Sequence, residues 1–576
     1  MADSAASPPE KLPKPVAMSG IGNGSIEITT ASPEARAWFT QGLNLFHDFW
    51  DYESSRAFEQ AIRVDPTCAM CFWGLYQAES FRNENDAWGA AALKQARKLA
   101  PHATPAERLY IKAAVQSEKE RQRAKSHAPA ANSKGWSIEG AAAQRHIDSK
   151  ETKLLRKLIA LRPEDTQARI LLAESLIDGF DKEQKPKPGT AEAQAILASI
   201  LAAHPDDSAA NHYWIHAQEA GLHPEYALPS ARKLSALTPT SGHMVHMPGH
   251  IFYRMGDYET GRLSFLASTR ADETYMQAQS VSVDNDWNYV HNLMYLIADL
   301  LEAGRLEEAT SSSAKLTEAR GQRRSTLYIN NSRDGIARLD PLLPVALRSA
   351  DWARASALLE ASHPAAELPN LITLRDALLD YTRGMAALAD SDTASAQARS
   401  KAIDDRLAKL PPEPAMRMPG MSASAGPMAR DALIGPLHSY LDVAALELRA
   451  SVQLAQGHTA DADATFTKAA DAERALGYHE PPFYIRPVGE TRGDALLRAK
   501  RYSNAKSAYQ AALKERPNSG FPLYGIAQAD AAAGNKDAAA EEFRALLAAW
   551  KNADPALPQV VAAKQWSEAG GAVASK

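Results

Sequence analysis

Six of the sixteen histidines fall into three short strings: AANHYWIHAQEA (His212, His216), SGHMVHMPGHIFYRMGDY (His243, His246, His250) and YVHNLMYL (His291). An HxxxH spacing on a helix puts two imidazoles one turn apart on one face. His212 with His216, and His246 with His250, therefore each offer two ring nitrogens together. Two carboxylates accompany them, Glu219 in the first string and Glu174 in the preceding element. Imidazole and carboxylate suit zinc, iron, copper or nickel. Six histidines and two glutamates exceed one tetrahedral shell. Either two ions bind, or some imidazoles stand behind the shell as hydrogen-bond partners, bases or substrate contacts. A metal-free cluster that binds a peptide carboxylate is the second reading. Plain packing is the third, because an isolated HxxxH recurs by chance.

The elements that must position these side chains show in an internal period of 34 residues. In a unit that ends near proline, Trp38, Gly42, Phe58, Ala61 and Pro66 fill positions 4, 8, 24, 27 and 32. Pro101 closes a second unit, and Pro205 and Pro239 lie 34 residues apart. Gly493, Ala505, Tyr509, Ala512 and Pro517 fill positions 8, 20, 24, 27 and 32 of a later unit. Small residues at 8 and 20 let two helices approach, the residue at 24 fills the space between hairpins, and proline stops the second helix. On this register His212 and His246 both take position 5, His216 and His250 position 9, and His243 and His291 position 2. Glu219 takes position 12, and Glu174 position 9 of the preceding unit. Positions 2, 5, 9 and 12 form one helical stripe. Neighbouring helices pack about 8–10 Å apart, so imidazoles on successive helices can meet at one ion.

The recurring positions resemble the tetratricopeptide repeat. That resemblance implies an all-α solenoid of helical hairpins, a superhelix whose concave face the histidine stripe would line. A small-molecule or peptide ligand is expected in the concave groove. The strings GLNLFHDFWDYESSRAFEQAIRVDPTCAMCFWG, NHYWIHAQEA, GHMVHMPGHIFYRMGDY and YHEPPFYIRPVGETRGDALL resemble a family of bacterial tetratricopeptide proteins, often exported, with NHxxIHAxE and GHxxHMPxHI motifs. The likeness spans most of residues 30–555. It implies the fold and the shared histidine motifs, and carries no activity with it. Members usually place Cys where this chain has Cys68, which raises that residue as a functional thiol. Glu480, Tyr484, Arg486 and Glu490 in the last string are expected to close the superhelix over the site.

At 576 residues the chain exceeds a single core. Its formal charge of −5 lacks the basic stripe of a nucleic-acid binder. No apolar stretch approaches the roughly 20 residues of a membrane span. The expected organisation is a disordered leader over 1–30, an N-terminal tetratricopeptide superhelix over 31–410 with the histidine cluster, a flexible Pro/Met/Gly linker over 411–429, further repeats over 430–555 and a tail over 556–576. Residues 118–150 read as a polar loop with a helix. The leader lacks the apolar core of a signal peptide and resembles the start of a chain whose signal has been removed. That leans towards a periplasmic or exported location, with the cytoplasm as the alternative. Cys68 and Cys71 form a single CxxC, too few for a disulfide framework or a four-thiolate zinc site. They are expected as two small residues packed at a helix start.

Phosphate-binding glycine loops, the GxSxG elbow and HExxH are all missing from the sequence. What remains is a metal-binding tetratricopeptide protein, read as a metalloenzyme of oxidative or hydrolytic type. His212, His216, His246 and His250 are the expected ligands, with His243 and His291 as ligands or their hydrogen-bond partners. Glu174 or Glu219 is the expected further ligand or general base. The cofactor is copper, iron or zinc, as one ion or two. A non-catalytic scaffold that captures a peptide or metal ion is the alternative. Metal affinity is expected to fall as pH drops through the imidazole range near roughly 6.5, where protons compete for the ring nitrogens.

Overall fold

The computed structural model describes residues 12–82, 86–127, 147–319, 321, 332–410 and 434–573. Among the described residues helix follows helix, and the β structure amounts to one bridge between Phe180 and Pro186. Successive helices pack as hairpins of the tetratricopeptide type, beginning with Pro33–His47 against Asp51–Val64 and Ala69–Arg82 against Asp86–Leu99. Local chemistry sets the helix ends. Ser32 caps the first helix by accepting the Ala35 N–H, with Pro33 pre-shaped for the opening turn. Further along, the helix Pro188–Ala203 stops before Pro205, and Asp207 caps the next by accepting the Ala210 N–H at 2.8 Å.

The wedge at position 24 holds one hairpin to the next. The Phe58 ring lies so close to Gly42 and Gly74 that a Cβ there would meet it at 2.9 and 2.1 Å. Tyr509 stands between Gly493 and Gly525, and Phe265 against Gly249, at 2.4–2.5 Å by the same measure. One ring thus fills the gap that two missing side chains leave, which is why glycine recurs at position 8 and an aromatic at 24.

The described residues divide into two compact units. The first comprises 12–251 and 263–292; the second comprises 252–262, 293–410 and 434–573. The boundary between the units runs through the helices Gly242–Met255 and Trp287–Glu302. The second unit's core draws its buried residues from 336–403 and 437–529. At its centre Arg348 is fully buried, bonded at 2.6–3.0 Å to both oxygens of Glu302 and of Glu490. Tyr484 and Tyr381 both donate to Glu447, and Arg486 donates to Thr491 and Asp494. Tyr484, Arg486 and Glu490 thus serve the interior of this unit.

Two more expectations change. Of the leader, residues 1–11 lie outside the described residues, but from residue 12 the chain is packed rather than disordered. Leu12, Ile21, Ile26 and Ile28 are buried, Arg63 and Arg56 donate to the Leu12 and Lys14 carbonyls, and Gln41 donates to that of Val16. Within the expected tail, Pro558–Val573 forms a helix that buries Val560 and Ala563 and sets Trp566 on Phe543. Cys68 and Cys71 pack at a helix start and are fully buried, but they are joined as a disulfide. Their Cα atoms stand 5.4 Å apart, within bonding reach. The linker at 411–429 and most of the polar stretch at 118–150 lie outside the described residues.

Candidate metal centre

Three helices of the repeat carry the six histidines: Ser208–Glu219, Gly242–Met255 and Trp287–Glu302. The first presents His212 and His216, the second His243, His246 and His250, and the third His291. Gly242 opens the second helix against Asp272, where a Cβ would meet the carboxylate at 1.7 Å. All six side chains are at most 5% exposed. Their ring nitrogens gather into two sets of three, His212/His216/His243 and His246/His250/His291, each with its ligand atoms within 4.8 Å of one another.

Hydrogen bonds on the far side of the rings decide which nitrogens carry protons. His212 Nδ1 donates to the His47 carbonyl at 2.7 Å. His216 and His250 Nδ1 donate to the two oxygens of Glu219, at 2.6 and 2.5 Å. His243 Nδ1 faces Asn288 Oδ1 at 3.2 Å, and His246 Nδ1 faces Asn292 Oδ1 at 2.8 Å. Both asparagines are oriented by what their amide nitrogens do. Asn288 donates to Asp272 and Ser268, and Asn292 donates to the Phe265 carbonyl and Thr269, so each turns its oxygen to the ring. With Nδ1 protonated, the neutral ring keeps its lone pair on Nε2. Those lone pairs point at each other: His212 Nε2 lies 3.1 Å from that of His216 and 3.2 Å from that of His243, and His246 Nε2 lies 2.6 Å from that of His250. No proton is left to sit between them. A cation held within each group would resolve the repulsion: 3.1–3.2 Å is close to the edge of a coordination polyhedron whose metal–nitrogen bonds are about 2.0–2.1 Å, and the 2.6 Å pair would have to open slightly to match it.

Burial favours the neutral form of His212, His243, His246, His250 and His291. Burial, followed by the charge of neighbouring imidazoles, holds His212, His243 and His246 well below the usual imidazole range, and takes His291 down to about 3. Burial also lowers His250, against the pull of Glu219. Glu219 moves oppositely: burial opposes its ionisation, but His216 and His250, which both donate to it, outweigh this and hold it well below the usual range. A folded base with a lowered value makes stability complete above the unfolded value near 6.5. It is lost as pH falls from there towards the folded value. The metal-free protein should thus lose up to roughly 1.4 kcal/mol per pH unit for each such histidine below about 6.5. Thermal melts of metal-stripped protein at pH 7.5, 6 and 5 check this, and a flat midpoint would contradict buried neutral rings. The same shift changes the expected pH profile of binding. Protons compete only where the metal-free rings titrate, so affinity should hold through 6.5 and fall at lower pH.

The structure brings all six predicted histidines together and places Glu219 behind the rings, where both oxygens accept N–H bonds. Glu174 is half-buried on the helix Thr166–Leu176 and is in neither three-histidine set. Sequence reasoning overlooked Asn288, Asn292, the His47 carbonyl and Phe49. The asparagines carried a legible signal, two amides four residues apart in the largely apolar WNYVHNLMYLIADLLE. Phe49 carried none. It adopts φ 57°, a region costing a non-glycine residue about 1 kcal/mol or more, and lays its ring nearly parallel on His216 and His243 at 5.6 and 5.2 Å. Trp287 donates to the Phe49 carbonyl and packs beside His243 and His291.

Fold and site together define an all-α tetratricopeptide-type protein with histidine clusters able to hold a metal ion. No family model matches the chain, and no curated protein matches it. Among solved structures it is similar to the human IFIT1 dimer with m7Gppp-AAAA, at 11% identity over 92% of this chain and 95% of that one, with a TM-score of 0.30. Yeast Tom70 is similar at 12% identity over 94% and 96%, with a TM-score of 0.30. The P58(IPK) TPR domain is similar at 13% identity over 70% and 99%, with a TM-score of 0.18. At such scores these likenesses add no weight, and the fold class rests on the hairpins and aromatic wedges above. Among the described residues no helix is long and apolar enough to cross a membrane.

Proposed function

We propose that this chain is a transition-metal protein whose six-histidine centre holds copper, iron or zinc, and that it works as a metalloenzyme of oxidative or hydrolytic type. One observation carries the reading: five imidazoles with Nδ1 protons committed elsewhere turn their Nε2 lone pairs on one another in a buried site. Three imidazoles per set leave coordination positions for water or substrate, the mark of a catalytic rather than a structural centre. Elemental analysis of the tag-free full chain, as purified and after incubation with Zn(II), Cu(II) or Fe(II), tests the reading. Stoichiometric, chelator-resistant metal is the expected result, and protein that retains none would overturn it.

A non-catalytic scaffold that captures a metal or peptide is the second reading. It is favoured by Glu219, whose oxygens are both engaged with ring N–H groups and so are not at hand as a general base. The disulfide between Cys68 and Cys71 supports a periplasmic or exported location over a cytoplasmic one, since disulfides persist in oxidising compartments.

A further inference from the structure

The histidine centre is a duplicated constellation. His212 and His216 occupy positions 5 and 9 of one repeat, and His243 position 2 of the next. His246, His250 and His291 occupy positions 5, 9 and 2 in the same way, one unit further on. The fold assembles the six into these two sets of three. In each, the position-5 ring is central: His212 lies 4.8 and 5.1 Å from His216 and His243 between ring centroids, and His246 lies 4.6 and 4.8 Å from His250 and His291. Six nitrogens around one ion would all have to lie within about 4.2 Å of one another, twice a metal–nitrogen bond. Among the described residues the histidines that approach within even 4.8 Å do so in threes.

One carboxylate serves both sets. Glu219 Oε1 accepts from His216 and Oε2 from His250, so the position-9 ring of each set leans on the same side chain. A carboxylate behind a ligating imidazole fixes the ring and raises its basicity towards the ion. Resting on the metal reading above, we propose that the centre holds two transition-metal ions, one per set of three histidines, coupled through Glu219 as a shared positioning residue. An ion in one set pulls electron density through its position-9 ring, and this changes what Glu219 supplies to the other.

The test uses the tag-free full chain, stripped with a chelator and titrated with Co(II), with bound metal counted by elemental analysis and its visible absorption recorded. Two equivalents are expected. His243→Ala and His291→Ala each remove one ligand from a different set without touching Glu219, so each should leave one equivalent, and the double variant none. A glutamine at 219 cannot accept from both rings, so Glu219→Gln should weaken both equivalents about 10- to 100-fold and change the Co(II) spectrum. A purely structural residue would lower the melting midpoint and leave the spectrum of the loaded protein alone. One equivalent in the native chain, abolished by either single variant, overturns the two-ion assignment and leaves the metal reading standing. No bound ion of any kind in the native chain ends both. Two equivalents with unchanged affinity and spectrum in Glu219→Gln would remove the coupling.

Discussion

The variant H216A/H250A should lose at least about 100-fold in affinity for Zn(II) or Co(II), because each change takes a direct ligand from a different set and even a residue behind the ligand typically costs about 10- to 100-fold. It should also be less stable without metal. Glu219 is buried and accepts from both of these rings. Removing them strands a carboxylate without donors, an effect of about 3–5 kcal/mol. For a unit of this size that is a fall of roughly 10 °C in melting midpoint. H212A/H246A is the informative comparison. It too takes one ligand from each set, but the groups it leaves behind are a carbonyl and an amide oxygen rather than a carboxylate. Metal loss should match that of the first variant, while the fall in stability should be clearly smaller. Equal stability of the two variants would show that Glu219 is not held by His216 and His250. Full metal binding by either would remove the centre itself.

Gly249→Leu should damage the fold first and the site second. A Cβ at 249 would stand 2.4 Å from the Phe265 ring, which is fully buried and has nowhere to retreat. Overpacking of this kind costs about 1–3 kcal/mol or more, and leucine adds three further carbons to the clash. Phe265 also packs on His246 at 5.0 Å, and its carbonyl accepts from the Asn292 amide that aims its oxygen at that ring. Displacement of Phe265 should therefore lower the melting midpoint by several degrees and weaken metal binding together, whereas H212A/H246A weakens binding with the smaller stability change. Melts and Co(II) titrations on both variants separate the two effects. A Gly249→Leu protein as stable as the native one would mean that position 8 tolerates a side chain and that the wedge account is wrong.

How much of this was legible in the sequence depends on whether an interaction is local or distant. Glycine at position 8, an aromatic at 24 and proline near 32 recur because each hairpin meets its neighbour in the same way. Helix pairing, the wedges at Phe58, Phe265 and Tyr509, and the common stripe of the six histidines all follow from that period. The division of the six into two threes came from the fold, which sets positions 5 and 9 of one unit beside position 2 of the next. What lies off the period had to wait for the tertiary structure. The partners of the Nδ1 atoms come from the His47 carbonyl, 165 residues before His212, and from asparagines 45 and 46 residues beyond His243 and His246. Local spacing marks the two amides as a pair but does not say which rings they meet. Glu219 read equally well as ligand, base or hydrogen-bond acceptor until the fold turned its two oxygens on two rings. Packing of residues 12–32 was hidden because short extended segments gain their order from the surface they lie on, and the disulfide at Cys68 and Cys71 because two spaced cysteines specify neither bonding nor redox state. Periodicity therefore determined which helices meet and which side chains share a face. Only the folded chain decided which nitrogen five of the rings protonate, and so why their Nε2 lone pairs form clusters that could hold a metal ion.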